Sequence, residues 1–201
     1  EGFKSINPNV YSCVFPSDAD EYVKLRDALD KYSLNDSSFF FEPESSSAFG
    51  FGFRCGFLGL LHLEIVIERL EREYSLSLFV TPPTVEVLII RNSGEEILIK
   101  NPSDISKYTD IKEIRERIAE VVVISPKKYL GNILKLLTDS RGEQEDLSFL
   151  SSERVKIVYK VPLLELVTGF YDTLKSISQG FATFDYKILY FKKANLSKVD
   201  L

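Results

Sequence analysis

The same order of extended and helical segments runs along this chain twice, and that recurrence limits the fold more than any single residue does. An apolar run Val10–Phe15 is followed by Ser17 or Asp18 as an N-cap and a helix over 19–32, with Tyr22, Leu25, Leu29 and Tyr32 on one face. Strands over 39–42 and 50–55 flank the turn Ser45-Ser46-Ser47, then a helix over 58–74 carries Leu58, Leu61, Ile65 and Leu70, and a strand spans 76–80. Pro82-Pro83 stops the chain. Runs over 85–90 and 95–100 bracket Asn92-Ser93-Gly94 as a hairpin, and 101–114 reads as a connector. The pattern then resumes: a strand over 118–124, a helix opened by Ser125-Pro126 and running to Asp139, strands over 146–150 and 155–161, a helix over 163–178, and a strand over 182–191.

Each half therefore reads βαββαβ, which predicts an α+β protein of two ferredoxin-like split-sheet domains joined by a hairpin-containing connector, with boundaries 1–83, 84–114 and 115–201. Alternation at Val155, Ile157, Tyr159 and Val161 predicts a sheet covered on one face. Water, the other domain and RNA are all open as occupants of the second face.

Composition narrows the class. With 44% hydrophobic and 27% charged residues the chain can bury a core. The longest apolar stretch, 57–67, is broken by His62 and Glu64, too short for a bilayer span of about 18 residues. No basic leader precedes an apolar core, and Cys13 and Cys55 read as reduced thiols acting as small hydrophobes. Methionine is absent and the chain opens at Glu1, as in a segment of a longer protein. Residues 1–100 hold 9 basic against 16 acidic groups, and residues 101–201 hold 16 against 14. Two domains with different partners would give this asymmetry; chance would too.

Gly50, Gly52, Gly56 and Gly59 crowd a strand-to-helix junction, a sign of close backbone approach or unusual dihedrals. Phe49-Gly50-Phe51-Gly52-Phe53 partly resembles the aromatic signature of the RNA recognition motif, with Tyr11 or Phe15 as partner rings; core packing is the alternative. Arg54, a lone cation there, needs a partner or a phosphate. His62 and Glu64 lack a partner pattern for acid–base work and read as packing or interdomain residues, with RNA contact the other option for His62. Lys127 and Lys128 stand in a first helical turn against the dipole, either as solvated lysines or facing an anion. Arg141-Gly142 ends that helix, and Lys187, Lys192 and Lys193 extend a basic patch or blunt a sheet edge.

No GxxxxGKS/T loop, histidine pair or cysteine pair at metal spacing occurs, so no catalytic, cofactor or metal residue is assigned. Two other functions use such folds: an acylphosphatase-like hydrolase with Arg54 in a phosphate loop, or a small-molecule-binding regulatory pair.

The motifs carry a resemblance as well. Gly2-Phe3-Lys4, Pro16-Ser17-Asp18, Leu25-Arg26-Asp27-Ala28-Leu29, Phe41-Glu42-Pro43-Glu44 and above all Phe53-Arg54-Cys55-Gly56-Phe57-Leu58-Gly59 resemble the third domain of the LepA (elongation factor 4) family of the elongation factor G superfamily. Ser125-Pro126, Arg141-Gly142, Pro162-Leu163 and the segment Phe181 to Tyr186 are similar to its fifth domain. The resemblance implies a ribosome-docking and coupling segment of a ribosome-dependent GTPase that remodels or back-translocates tRNAs. GTP and Mg would belong to the full-length factor and no cofactor to this segment. The implied partners are rRNA and ribosomal proteins, tRNA through the whole factor, and the factor's own GTPase domain, with the segment itself a monomer. The implied location is the cytoplasm, with peripheral attachment at the inner membrane. Ribosomal RNA contacts fall to Arg54, Lys127, Lys128, Arg141, Gly142, Lys187, Lys192 and Lys193. The sequence departs from the family at Lys127 and Lys128, commonly acidic there, and at Ser140 and Gln179, commonly basic.

Overall fold

The computed structural model, which describes residues 8–194, forms two units, Glu1–Val85 and Glu86–Leu201. The Gly2-Phe3-Lys4 motif lies outside the described residues. Among the described residues no helix is long and apolar enough to cross a membrane.

In the first unit β1 (Val10–Pro16), α1 (Tyr22–Asn35), β2 (Phe40–Ser46), β3 (Gly50–Phe57), α2 (Leu60–Tyr74) and β4 (Leu78–Val80) build an antiparallel sheet in the order β2-β3-β1-β4, with β5 (Thr84–Val85) also on β1. This is the split βαββαβ order. Asp18, not Ser17, is the cap: its carboxylate accepts the Asp20 amide at 3.0 Å and opens a 3₁₀ turn, Ala19–Glu21, ahead of α1. Val14, Phe53, Cys55 and Phe57 meet Leu25, Leu29, Val66 and Leu70 in the core.

The apolar face expected on α2 is rotated. Leu61 and Ile65 are 69% and 44% exposed, whereas Val66 and Leu70 are fully buried and Leu63 and Ile67 pack against the same core. Both sets have helical spacing, and only the position of the sheet selects one.

On the sheet face away from the helices, the glycines admit aromatic rings. A Cβ at Gly52 would stand 2.4 Å from Phe15 Cδ1 and 2.5 Å from the Val14 carbonyl oxygen, and one at Gly56 would stand 3.1 Å from Tyr11 Cε1. Phe15, Phe49 and Phe79 then continue as a ring cluster with centroids 5.5 Å apart.

The second unit contains β6 (Val87–Arg91), β7 (Glu96–Ile99), β8 (Ile111–Pro126), α3 (Leu130–Asp139), β9 (Glu143–Phe149), β10 (Arg154–Pro162), α4 (Leu163–Glu165), α5 (Tyr171–Ile177) and β11 (Thr183–Lys193). Its sheet runs β7-β6-β8-β10-β9, with β11 also on β8. The segment read as a connector is not a free linker. The β6–β7 hairpin pairs with the first part of β8, Val87 opposite Glu116 through Arg91 opposite Ile111, while β10 takes the rest. Arg91 fastens the hairpin, reaching Asp110 at 2.9 Å and Glu95 at 2.8 Å.

Two helix expectations also change. The strand continues through Pro126, Ser125 Oγ donates to the Pro126 carbonyl at 3.2 Å instead of capping, and a 3₁₀ turn, Lys127–Tyr129, precedes α3. The segment expected as one helix over 163–178 breaks at Thr168 and Gly169, where Gly169 takes φ 92°, a left-handed value suited to glycine. Ala119, Val121, Val123, Val155, Ile157 and Val161 are buried, as are Ile133, Leu137, Leu163 and Leu174 from the helices. Each of the valine, leucine and isoleucine side chains contributes about 1.5–3 kcal/mol on burial.

Candidate nucleic-acid interface

Strand register brings three connections to one end of the second sheet. Pro126 at the end of β8 lies opposite Arg154 at the start of β10, Val155 opposite Phe149 at the end of β9, and Thr183 at the start of β11 opposite Ile124. The Lys127–Tyr129 turn, the 150–153 loop and the 178–182 loop therefore converge. Their backbones are pinned: the Lys127 amide donates to Glu153 at 2.8 Å, Leu150 to Arg154 at 2.9 Å, and Gly180 to Lys175 at 2.8 Å. Gln179 at φ 52° and Gly180 at φ 78° turn the chain out of α5. There the Tyr129 hydroxyl donates to Gln179 Oε1 at 3.0 Å and Ser178 Oγ accepts the Ala182 amide at 3.2 Å.

Lysines and exposed rings alternate on this end. Lys127 Nζ stands 5.6 Å from the Phe149 ring centroid, and Lys128 Nζ stands 4.7 Å from that of Tyr129 and 5.5 Å from that of Phe181. Phe149 is 57% and Phe181 60% exposed, Leu150 and Arg154 are exposed beside them, and Glu153 is the opposing charge. Ammonium groups reach phosphates as point charges, and bare ring faces stack on unpaired bases, so the combination suits single-stranded or looped RNA. The lysines lie in a 3₁₀ turn that runs directly into α3, at the N-terminal end of its dipole. Sequence reasoning missed Phe149, Leu150, Arg154 and Phe181; an aromatic directly after the turn glycine Gly180 was the available signal.

The remaining basic residues do not join this cluster. Arg141, at φ 57°, grips Glu116 with two bonds of 2.7 and 2.9 Å and Glu165 with one of 2.8 Å, and these carboxylates raise its pKa, Glu116 first. It is a clamp inside the unit. Gly142 is required because a Cβ would stand 2.5 Å from the Leu137 carbonyl oxygen. Lys192 pairs with Glu143, and Lys193 lies opposite Arg115, both at the far end of the sheet; exposed Lys187 lies between, opposite Glu120.

In the first unit Arg54 is only 5% exposed, its guanidinium 5.2 Å from the Tyr11 ring centroid and 3.4 Å from Thr84 Oγ1, with Cys13 and Glu42 opposite it on the flanking strands. So placed, it neither presents itself to rRNA nor sits in an acylphosphatase-like loop. Tyr11, Phe15 and Phe53 are buried too, and Glu42 and Glu44 share Arg54's sheet face, unlike the bare stacking platform of an RNA recognition motif. His62 Nδ1 accepts the Leu58 amide at 3.0 Å while Nε2 meets Asp36 at 2.9 Å, and Glu64 is exposed. Gly50 takes φ 77°, and Gly59 precedes α2 in extended conformation. Burial drives the Cys55 thiol pKa far up, so it stays protonated.

Residues 113–201 match the protein family described as elongation factor G C-terminus. The match covers rather less than half of the chain. A crystal structure of a protein from Thermus thermophilus is similar in fold at 15% identity and a TM-score of 0.57, covering 96% of this chain and 42% of that one. The chain thus spans less than half the length of that protein. The elongation factor G C-terminus domain is ferredoxin-like, in keeping with the order of β8 to β11. No GxxxxGKS/T run occurs in the sequence, and the described residues hold no cluster of three or more His, Cys, Asp or Glu placed for a metal.

Proposed function

We propose that this chain is a ribosome-docking and coupling segment of a LepA-type translation factor. The observation that carries this reading is the convergence of Lys127 and Lys128 with exposed Phe149 and Phe181 at one end of a unit that matches the elongation factor G C-terminus family. In this account the loop cluster contacts ribosomal RNA, and the segment transmits GTP hydrolysis by a domain elsewhere in the factor to the tRNAs. Its own role is electrostatic and mechanical, and no residue here carries a bond-breaking step. The acidic first unit, with Arg54 turned inward, contributes a rigid body and not an RNA contact. The location that goes with this work is the cytoplasm, and peripheral membrane attachment belongs to the whole factor.

Co-sedimentation of the chain with ribosomes in low and moderate salt tests the proposal. Binding that weakens steeply with salt and is competed by rRNA fragments is expected. Absence of binding at low salt contradicts it.

A further inference from the structure

At the end of the second sheet away from the loop cluster, a cleft of about 250 Å³ is lined by four cations, Arg141, Lys160, Lys192 and Lys193, against two carboxylates, Glu116 and Glu143. Counted over the lining alone the charge is +2, and Glu145 on Lys160 and Glu165 on Arg141 offset it in the immediate surroundings. Arg141 and Glu116 are spent on each other in the two-bond pair and form a fixed wall. Glu143 and Lys192 are different: their side chains are 62% and 46% exposed, and a surface pair of this kind holds little and yields to a stronger anion. Lys160 approaches from β10, held at 2.8 Å from Glu145, and Lys193 stands exposed on β11. Between Ile188 and Phe191 the strand β11 slips register against β8, and Tyr190 from this irregularity lines the cleft with 46% of its surface exposed. Irregular strands of this kind re-aim a side chain toward a site.

We propose that this cleft binds a phosphate monoester on a small organic group, of the nucleoside monophosphate class, with Lys160, Lys192 and Lys193 on the phosphate and Tyr190 against the base. A monoester carries about −1.5 to −2 near neutral pH and competes for these paired lysines more strongly than a backbone diester, which carries only half of that. The volume is just below the range of small-ligand pockets and favours a small ligand over the larger nucleotide cofactors. The site stands on its own geometry and is independent of whether the loop cluster meets RNA.

Calorimetric titration of the full chain with GMP, inorganic phosphate, guanosine, and a short RNA lacking terminal phosphates tests it. GMP should bind and guanosine should not, and the Lys192→Ala/Lys193→Ala variant should weaken GMP binding at least about tenfold while Lys127→Ala/Lys128→Ala leaves it unchanged. Equal affinity for inorganic phosphate and GMP would remove the role of Tyr190 and overturn the nucleotide class. Competition by the unphosphorylated RNA would reassign the cleft to the RNA backbone. No binding of GMP at millimolar concentration, or undiminished binding by the lysine variant, would overturn the proposal outright.

Discussion

His62 donates its Nε2 proton to Asp36 Oδ2 across 2.9 Å while its Nδ1 accepts the Leu58 amide at 3.0 Å. The amide can only donate, so the tautomer is fixed by the backbone. Asp36 also accepts from the Ser38 amide and hydroxyl, at 2.9 and 2.5 Å. One side chain thus ties the start of α2 to the turn that follows α1, which explains a lone histidine without catalysis.

Removing that tie should cost stability. His62→Ala is expected to lower the unfolding free energy by about 1–3 kcal/mol in urea denaturation, since it leaves two partners unsatisfied in a half-buried place. Burial opposes ionisation of Asp36, but the Ser38 hydrogen bonds and His62 outweigh it and hold the carboxyl below its ordinary value. A carboxyl with a depressed folded pKa stabilises the fold above its unfolded pKa, and the gain is lost as pH falls through the folded value. The stability gap between the wild type and Asp36→Asn should therefore be full at neutral pH and close in acid, as the pH falls through the depressed folded value. A gap that persists there would mean that His62 does not act through the carboxylate charge.

Arg141→Ala should destabilise the second unit by about 2 kcal/mol, because it strands Glu116, which is only 7% exposed. Arg141→Lys should recover only part, as an ammonium cannot make the two-bond grip. Thermal unfolding measures both. Per folded molecule, ribosome affinity should be unchanged; a loss of affinity without a loss of stability would restore Arg141 as a direct contact.

The glycines separate by surroundings. Gly52→Ala drives a Cβ to within 2.5 Å of the Val14 carbonyl oxygen and should cost at least about 2 kcal/mol. Gly131, in α3 with nothing within 4 Å of its added Cβ, should gain about 0.5–1 kcal/mol as alanine. Equilibrium denaturation of the two variants should move in opposite directions.

Much of the fold was legible because breakers and period change together: Pro82-Pro83 cuts the chain just past β4, and the β2–β3 turn falls at the end of the serine run, at 47–49, with Ser45 and Ser46 still paired in β2. The phase of α2 was not, since Leu61 and Ile65 offer a second apolar stripe that the sheet does not use. The first part of β8 was hidden by its charges, Glu113, Arg115 and Arg117, which are half-buried there and held by ion pairs, Arg115 with Glu113 and Arg117 with Glu86. Clustered glycines made Arg54 look accessible, yet their purpose is to let Tyr11 and Phe15 lie flat. The loop cluster joins residues far apart in sequence, and only register brings Phe149 and Phe181 beside the two lysines.

Phe149→Ala and Phe181→Ala remove exposed rings and should leave the melting temperature nearly unchanged. Each should weaken binding to looped RNA by about 1–3 kcal/mol, the usual worth of one stacked base, and spare binding to a perfect duplex. Filter binding with hairpin and duplex probes distinguishes this from a purely electrostatic surface, for which both probes would respond alike.

The most direct measurement is the salt dependence of ribosome affinity for the chain and for Lys127→Ala/Lys128→Ala. If both lysines meet phosphates, the variant binds more weakly and the slope of log affinity against log salt becomes shallower by about 0.7–0.9 per lysine. Equal affinity and equal slope in the two proteins would contradict the loop cluster as the ribosome-facing end.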